Sequence, residues 1–377
     1  MTNKYITKSI LGLMLVASIF FSQCTSEVSY SLDDKIGQML LVGFRGSEVE
    51  DMKDLLHELK EVQPGGVIFY DYDVPSQTYD RNIESPGQLK KLIHRIDKTL
   101  NITPFLAIDH EGGKVNRLKE KYGFPKTVSA GYLGTLDNRD STRFYAENYA
   151  QTLHDLGINM NFAPVVDVNT NPECPVIGQI ERSFSASPEK VILHSEIFID
   201  TYSNYGIISA LKHFPGHGSS RSDSHLGFTD VSSTWSEVEL IPYRELMKRN
   251  KVDMVMTAHV FSEFWDARFP ATLSDNVIHY YLRQEMGFQG VVISDDMCMG
   301  AIQDNYTLKS SLELALKADV DLLIFSNNGK NYQPKLISEV FDTIKELVDE
   351  GTISEDRINR SFERIMLLKN KYGLINE

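Results

Sequence analysis

The sequence predicts a single α/β domain folded as a (β/α)8 TIM-type barrel, and three observations predict it. Eight short, apolar, β-branched segments recur along the chain, with helical segments between them. Most of the eight are near-continuous apolar runs, as expected of parallel strands covered on both faces. Nearly every one ends in polar, chemically useful residues, which a closed barrel gathers at one mouth. An open doubly wound sheet, the alternative, would spread them along a line.

The expected strands are Met39–Phe44, Gly66–Tyr70, Phe105–Asp109, Asn159–Val168, Ile207–His213, Met254–His259, Gly290–Asp295 and Asp321–Ser326. Between them, Thr142–Leu156 sets Ala146, Tyr149, Ala150 and Leu153 on one face at helical spacing. Pro188–Tyr205 follows Ser187 as N-cap, with Pro188 and Glu189 in the first turn. Ser274–Met286 reads as a helix ending before Gly287. From Tyr332 two amphipathic helices follow, separated by Gly351-Thr352-Ile353-Ser354, with Ser354 capping the second.

The first residues read differently. Lys4 and Lys8 precede an apolar run from Ile10 to Phe21, too short for a comfortable membrane span and typical of a secretory signal. Cys24 follows directly, and a lone cysteine there resembles the lipidation site of bacterial lipoproteins, although Gln23 is not the usual small residue. Residues 1–24 are therefore expected to be a leader and 31–377 the barrel. The protein is expected to be exported, periplasmic or cell-surface, and membrane-anchored through lipidated Cys24. Plain secretion or an uncleaved anchor are the alternatives.

Composition excludes some functions. The formal net charge is −14 and there is no Lys/Arg stripe, so nucleic acid is not an expected partner. Three cysteines, Cys24, Cys174 and Cys298, are too few for a disulfide framework. Cys298 sits among apolar residues and reads as a packed thiol. A monomer is expected.

Four polar clusters carry the chemistry. Lys212-His213-Phe214-Pro215-Gly216-His217-Gly218 runs from a strand end into a loop, followed by Ser222-Asp223-Ser224-His225. A zinc site would need His213 and His217 one helical turn apart, and Pro215-Gly216 argues against that helix. No metal or other cofactor is expected. In Ser294-Asp295-Asp296-Met297, Asp295 falls where a strand ends, as a nucleophile or as the cap of the next helix. Asp296 suits a capping or supporting role. In Asp109-His110-Glu111-Gly112-Gly113, the glycines allow a tight turn beneath a polar ligand and Asp109 can accept two hydroxyl hydrogen bonds. Arg117, shortly after, suits a neighbouring carboxylate or a substrate. Glu181-Arg182-Ser183-Phe184 forms the fourth.

Together these segments resemble glycoside hydrolase family 3, in its single-domain β-N-acetylhexosaminidase branch. The matching stretches are Lys35-Ile-Gly-Gln-Met, Pro64-Gly-Gly-Val-Ile, Asp109-His-Glu-Gly-Gly, Asn161-Phe-Ala-Pro-Val-Val-Asp-Val, Glu181-Arg-Ser-Phe, Lys212-His-Phe-Pro-Gly-His-Gly, Asp223-Ser-His and Ser294-Asp-Asp-Met. They span about Leu32 to the C-terminus in the family's order. His110 departs from the common Gln, which leaves the role of Asp109 intact. The second domain of some relatives is not expected here.

The resemblance implies a carbohydrate substrate, β-linked N-acetylglucosamine glycosides, and a retaining mechanism through a glycosyl-aspartate. It implies Asp295 as nucleophile, His225 as general acid/base and Asp223 as its partner. It implies Asp109, Arg117, Arg182, Lys212 and His213 as substrate-binding residues. A histidine with a reference pKa of about 6.5 suits proton shuttling near neutrality. The small residues between Gly218 and Asp223 suit a loop that moves. The alternatives are a phosphorylase of the same family, a broader β-glucosidase, and a sugar-binding lipoprotein without catalysis.

Overall fold

Each of the eight expected strands forms, and all are parallel: β1 (Leu40–Gly43), β2 (Gly66–Phe69), β3 (Phe105–Ile108), β4 (Met160–Asn161), β5 (Ile208–Phe214), β6 (Met254–Thr257), β7 (Val291–Ile293) and β8 (Leu323–Phe325). Neighbours in sequence pair in order from β1 to β7, and β8 returns to pair with β1 through Leu40–Leu323. The ring closes between β7 and β8. Ile293 bridges to Leu322, and Ser294 N donates to Leu322 O at 2.9 Å. This is a (β/α)8 barrel rather than an open sheet. The computed structural model describes residues 29–48, 52–224 and 227–375. The leader, Cys24 and His225 lie outside the described residues.

The strands are buried from end to end because helices cover the outside of the ring; all seven residues of β5 are buried. Among the helices are α1 (Leu32–Gln38), α2 (Lys53–Val62), α3 (Pro86–Asp97), α4 (Arg139–Leu156), α5 (Pro188–Asn204), α6 (Ile241–Lys248), α7 (Asn276–Glu285), α8 (Leu308–Lys317), α9 (Leu336–Asp349) and α10 (Glu355–Lys371), with short helical turns at Ala130–Leu136 and Gly300–Gln303. Their starts follow local chemistry. Ser187 Oγ accepts from Lys190 N at 3.4 Å with Pro188 in the first turn, and Ser354 Oγ accepts from Arg357 N at 3.2 Å.

Three expectations need correction. The strand expected over Asn159–Val168 pairs regularly only at Met160–Asn161, then as a single bridge from Val165 to Lys212. Pro164 interrupts it, having no N–H to donate to a neighbour. The helix expected from Thr142 begins a turn earlier, where Asn138 Oδ1 accepts from Ser141 N at 2.8 Å. The helix expected from Ser274 begins at Asn276 and is π-wound. Cys298 is packed as expected, and Cys174 is buried beside Val165, Val176 and Ile177.

The two ends of the barrel differ in chemistry. Before β8, buried Asp321 pairs with Arg283 of α7 and with Arg364 of α10, and accepts from Ser361 Oγ at 2.7 Å. These contacts tie the last helices to the entry end of the strands, the face of such barrels that carries stability. The exit end carries the sequence-predicted site.

Candidate active site

Asp109, Arg117, Arg182, Lys212, His213, Asp223 and Asp295 all line one cavity of about 310 Å³ at the C-terminal mouth of the barrel. Of the expected site residues, only His225 is not placed, being outside the described residues. The side chains arrive by several routes. Asp109 follows β3, Lys212 and His213 belong to β5, and Asp295 stands two residues beyond β7. Arg117 comes from the hairpin after β3, Arg182 from the β4–α5 loop and Asp223 from the β5–α6 loop.

The hairpin depends on its glycines. Gly112 and Gly113 have φ of 95° and 59°, and a Cβ on Gly112 would lie 2.3 Å from Val128 O. The expected tight turn is therefore present. It directs Asp109 and Glu111 into the barrel mouth, where two cations meet them. Lys212 Nζ lies 2.8 Å from Asp109 Oδ1 and 2.7 Å from Glu111 Oε1. Arg182 grips Glu111 with two parallel bonds, Nε–Oε2 at 2.8 Å and Nη2–Oε1 at 2.7 Å. Arg117 Nη2 stands 3.4 Å from Asp109 Oδ2, with its guanidinium 5.4 Å from the centre of the Tyr70 ring.

This alternation of charge fixes protonation. Burial works against ionising Asp109, but Lys212 and Arg117 outweigh it and hold the carboxyl well below the usual range. Burial likewise opposes ionisation of Glu111, and Arg182 and Lys212 overcome it. Both remain anionic and both orient their cations. Glu111 is a site residue to which sequence reasoning gave no role. Its position in the Asp-His-Glu-Gly-Gly motif was the available signal.

Asp167 is the second such residue. It is fully buried behind β5, and its Oδ2 lies 2.7 Å from His213 Nδ1. It also accepts from His217 N at 2.8 Å. His213 Nε2 lies 3.1 Å from Arg182 Nη2, which can only donate. His213 is thus a neutral imidazole carrying its proton on Nδ1. Burial, with Arg182 and Lys212 nearby, pushes its pKa well down. Both ring nitrogens are committed, so His213 holds Arg182 in position as well as lining the cavity.

Asp295 and Asp296 divide their work. Asp295 faces the cavity, and its Oδ1 accepts from Asp296 N at 2.8 Å. Asp296 Oδ1 accepts from Cys298 N and Ser326 N, each at 3.0 Å, and Oδ2 accepts from Ser326 Oγ. It pins the end of β7 to the end of β8, the supporting role expected of it. His217 follows two residues after Pro215 on the same loop. It lies in a non-helical loop with Ser220 Oγ 2.6 Å from Nδ1 and Ser224 Oγ 3.2 Å from Nε2.

The loop after β5 is held from below by buried Glu239, whose Oε2 accepts from Gly218 N at 2.8 Å. Gly218 has no room for a side chain, since a Cβ there would lie 1.8 Å from Val168 O. Burial pushes the Glu239 carboxyl up to about 8, and nearby Asp167 adds to the rise. The folded pKa lies above the unfolded one. The stabilisation from this group is therefore complete below the usual glutamate range and is lost as pH rises through about 8. Glu239→Gln should flatten that part of the profile. The melting temperature of the variant, relative to wild type, should rise with pH up to about 8 and then level off. A constant difference across the pH range would contradict this protonation state.

An α/β barrel with carboxylates and fixed cations converging on a cavity at its C-terminal mouth is the architecture of a barrel enzyme acting on a polar ligand. The family is shown by comparison. The sequence profile described as "Glycosyl hydrolase family 3 N terminal domain" matches residues 31–368, and the chain belongs to this family. The protein named Beta-hexosaminidase from Tolumonas auensis is 35% identical over 277 residues, covering 72% of this chain and 78% of its own length. Beta-hexosaminidase A from Pseudoalteromonas piscicida is 28% identical over 373 residues, covering 92% of this chain. A solved glycoside hydrolase family 3 beta-N-acetylglucosaminidase from Paenibacillus sp. str. FPU-7 superposes with a TM-score of 0.83 at 33% identity over 93% of this chain. The chain spans 62% of the Pseudoalteromonas protein and 64% of the Paenibacillus one.

Proposed function

We propose that this chain is a retaining β-N-acetylhexosaminidase that removes terminal β-linked N-acetylglucosamine from muropeptides or chitooligosaccharides. The observation that carries the reading is the meeting of Asp295, Asp223, Asp109, Lys212 and Arg182 in one cavity, with Glu111 pairing the two cations, in a member of family 3. The names of the Tolumonas and Paenibacillus relatives support the choice of sugar. The cavity is at the small end of ligand pockets, which run from about 300 to 1,000 Å³, and suits a single terminal sugar.

In this mechanism Asp295 attacks the anomeric carbon, the bond to the leaving oxygen breaks, and a glycosyl-aspartate forms. His225 protonates the leaving oxygen, then takes a proton from the water that cleaves the intermediate. Asp223, two residues earlier, stabilises the imidazolium as the third member of a triad does. Asp109, Arg182 and Lys212 hold the hydroxyls of the terminal sugar, Arg117 flanks them, and His213 fixes Arg182. Arg182 and Lys212 are already bonded to carboxylates, which favours hydrolysis over phosphorolysis: neither is left as a bare cation for phosphate.

The assay compares β-N-acetylglucosaminides with β-glucosides, with and without phosphate. A site built to bind a polar substituent rejects the analogue lacking it, so kcat/KM should favour the N-acetyl sugar by several orders of magnitude. Comparable values would favour a broad glucosidase, and a sugar 1-phosphate product would favour a phosphorylase. In the same assay His225→Ala should lose far more activity on a disaccharide than on a dinitrophenyl glycoside, whose leaving group departs with little help. Equal loss on both would assign His225 to binding.

The leader supports export and anchoring through a lipidated Cys24, with the barrel at the cell surface or in the periplasm. Mass spectrometry of the membrane fraction should find a mature chain that begins at Cys24 and carries lipid. Cys24→Ser should release the protein with its turnover unchanged. A mature chain without lipid, beginning elsewhere, would contradict the anchor.

A further inference from the structure

We infer that an aromatic cluster beside the barrel mouth, formed by Phe228, Phe261, Phe264 and Trp235, binds the leaving-group sugars of an oligosaccharide substrate by stacking against their apolar faces. The inference rests on the glycosidase reading proposed above. Phe228 and Phe264 are 56% and 59% exposed, although large apolar side chains are normally inside. They are not isolated. Phe228 meets Phe261 with ring centres 5.1 Å apart, and Phe264 stacks on Trp235 at 5.5 Å and 26°. Trp265 packs edge-on beneath both Trp235 and Phe264. Grouped, supported aromatic exposure of this kind marks a binding surface.

The position of the cluster says what it binds. Ser222 Oγ donates to Thr229 Oγ1 at 3.3 Å, closing a neck with Asp223 next to one side and Phe228 next to the other. Thr229–Asp230 pairs with Val260–Phe261, which brings the second ring alongside the first. One residue before that strand, the His259 ring Nε2 lies 3.0 Å from Asp296 O, beside the proposed nucleophile. Trp235 Nε1 donates to Pro215 O at 3.1 Å, fastening the outer rings to the exit of β5. The loop that carries Asp223 to the cavity, and the loop whose His259 touches Asp296, therefore also build the platform.

The occupant follows from the reaction. The terminal sugar occupies the charged cavity, and the leaving group lies on the side of the proton donor. Asp223 lines that cavity and precedes the proposed donor by two residues, and Phe228 follows on the same loop, so we place the rest of the substrate over Phe228 and outward toward Phe264. A sugar chain fits the chemistry, because pyranose rings present C–H faces to aromatics and hydroxyls to a polar rim. Asp230, Ser232 and Glu263 supply that rim: Ser232 Oγ donates to Asp230 Oδ1 at 2.5 Å and accepts from Glu263 N at 2.9 Å. The two exposed carboxylates disfavour an anionic lipid surface.

Two readouts test the platform. The chain's 2 tryptophans, Trp235 and Trp265, both lie in this cluster, so tryptophan emission reports on this patch. Chitotriose should shift the emission saturably, and methyl β-N-acetylglucosaminide should not. The ratio of kcat/KM for chitotriose to that for the methyl glycoside should fall about tenfold in Phe228→Ala and in Phe264→Ala. Phe228→Trp should keep the ratio. An unchanged ratio, or an equal loss on both substrates, would overturn the inference and assign the rings to support of the Asp223 loop. Self-association through the patch, seen as concentration-dependent sedimentation lost in Phe264→Ala, would overturn it in favour of a second copy as the occupant. If wild type cleaves neither glycoside, the function proposed above fails, and the emission titration still decides whether the platform binds sugar.

Discussion

Asp295→Asn should lower kcat on N-acetylglucosaminides by on the order of 10⁴-fold while leaving the melting temperature within a degree or two of wild type. The substitution keeps the shape of the side chain and removes its nucleophilic charge. Asp295 Oδ1 accepts from Asp296 N, a bond that an amide oxygen can also accept. The β7–β8 junction is held by Asp296 and Ser326 and should survive. A comparable loss in kcat accompanied by loss of the folded state would assign Asp295 a supporting role. Retention of more than a tenth of the activity would remove it from the mechanism.

Glu111→Gln should show the second largest effect, on stability and binding together. Glu111 is the shared partner of Arg182 and Lys212, and all three side chains are buried to within a tenth of their surface. Neutralising it removes the ion pair of Arg182 and one of the two made by Lys212, and breaking a buried ion pair in this way costs about 3–5 kcal/mol. Arg182 also loses the fork that orients it, so kcat/KM should fall further than kcat. Urea denaturation and steady-state kinetics on the one variant measure both effects. Unchanged stability would mean that the cations are adequately solvated without Glu111.

Much of this was legible in the sequence because it is local. Lys212, His213, Asp109 and Asp295 stand where apolar runs end, and in a parallel barrel every such end opens on the same mouth. The caps at Ser187 and Ser354 depend only on residues three positions away. Partner choice was not legible. Arg182 and Glu111 are 71 residues apart and His213 and Asp167 are 46 apart, and only closure of the ring selects them from the many acids and bases available. The shortening of β4 was visible in principle, since Pro164 has no N–H. The aromatic platform had no signal, because its rings are spread from Phe228 to Trp265 without a period and meet only when two loops pair.

In the proposed mechanism Asp295 forms a covalent bond to the sugar. Wild-type protein treated with a fluorinated N-acetylglucosaminyl fluoride, then digested and analysed by mass spectrometry, tests it most directly. One sugar-modified peptide is expected, with the label on Asp295 and slow recovery of activity as the intermediate hydrolyses. A label on another carboxylate, or hydrolysis with inverted anomeric configuration and no label at all, would contradict it.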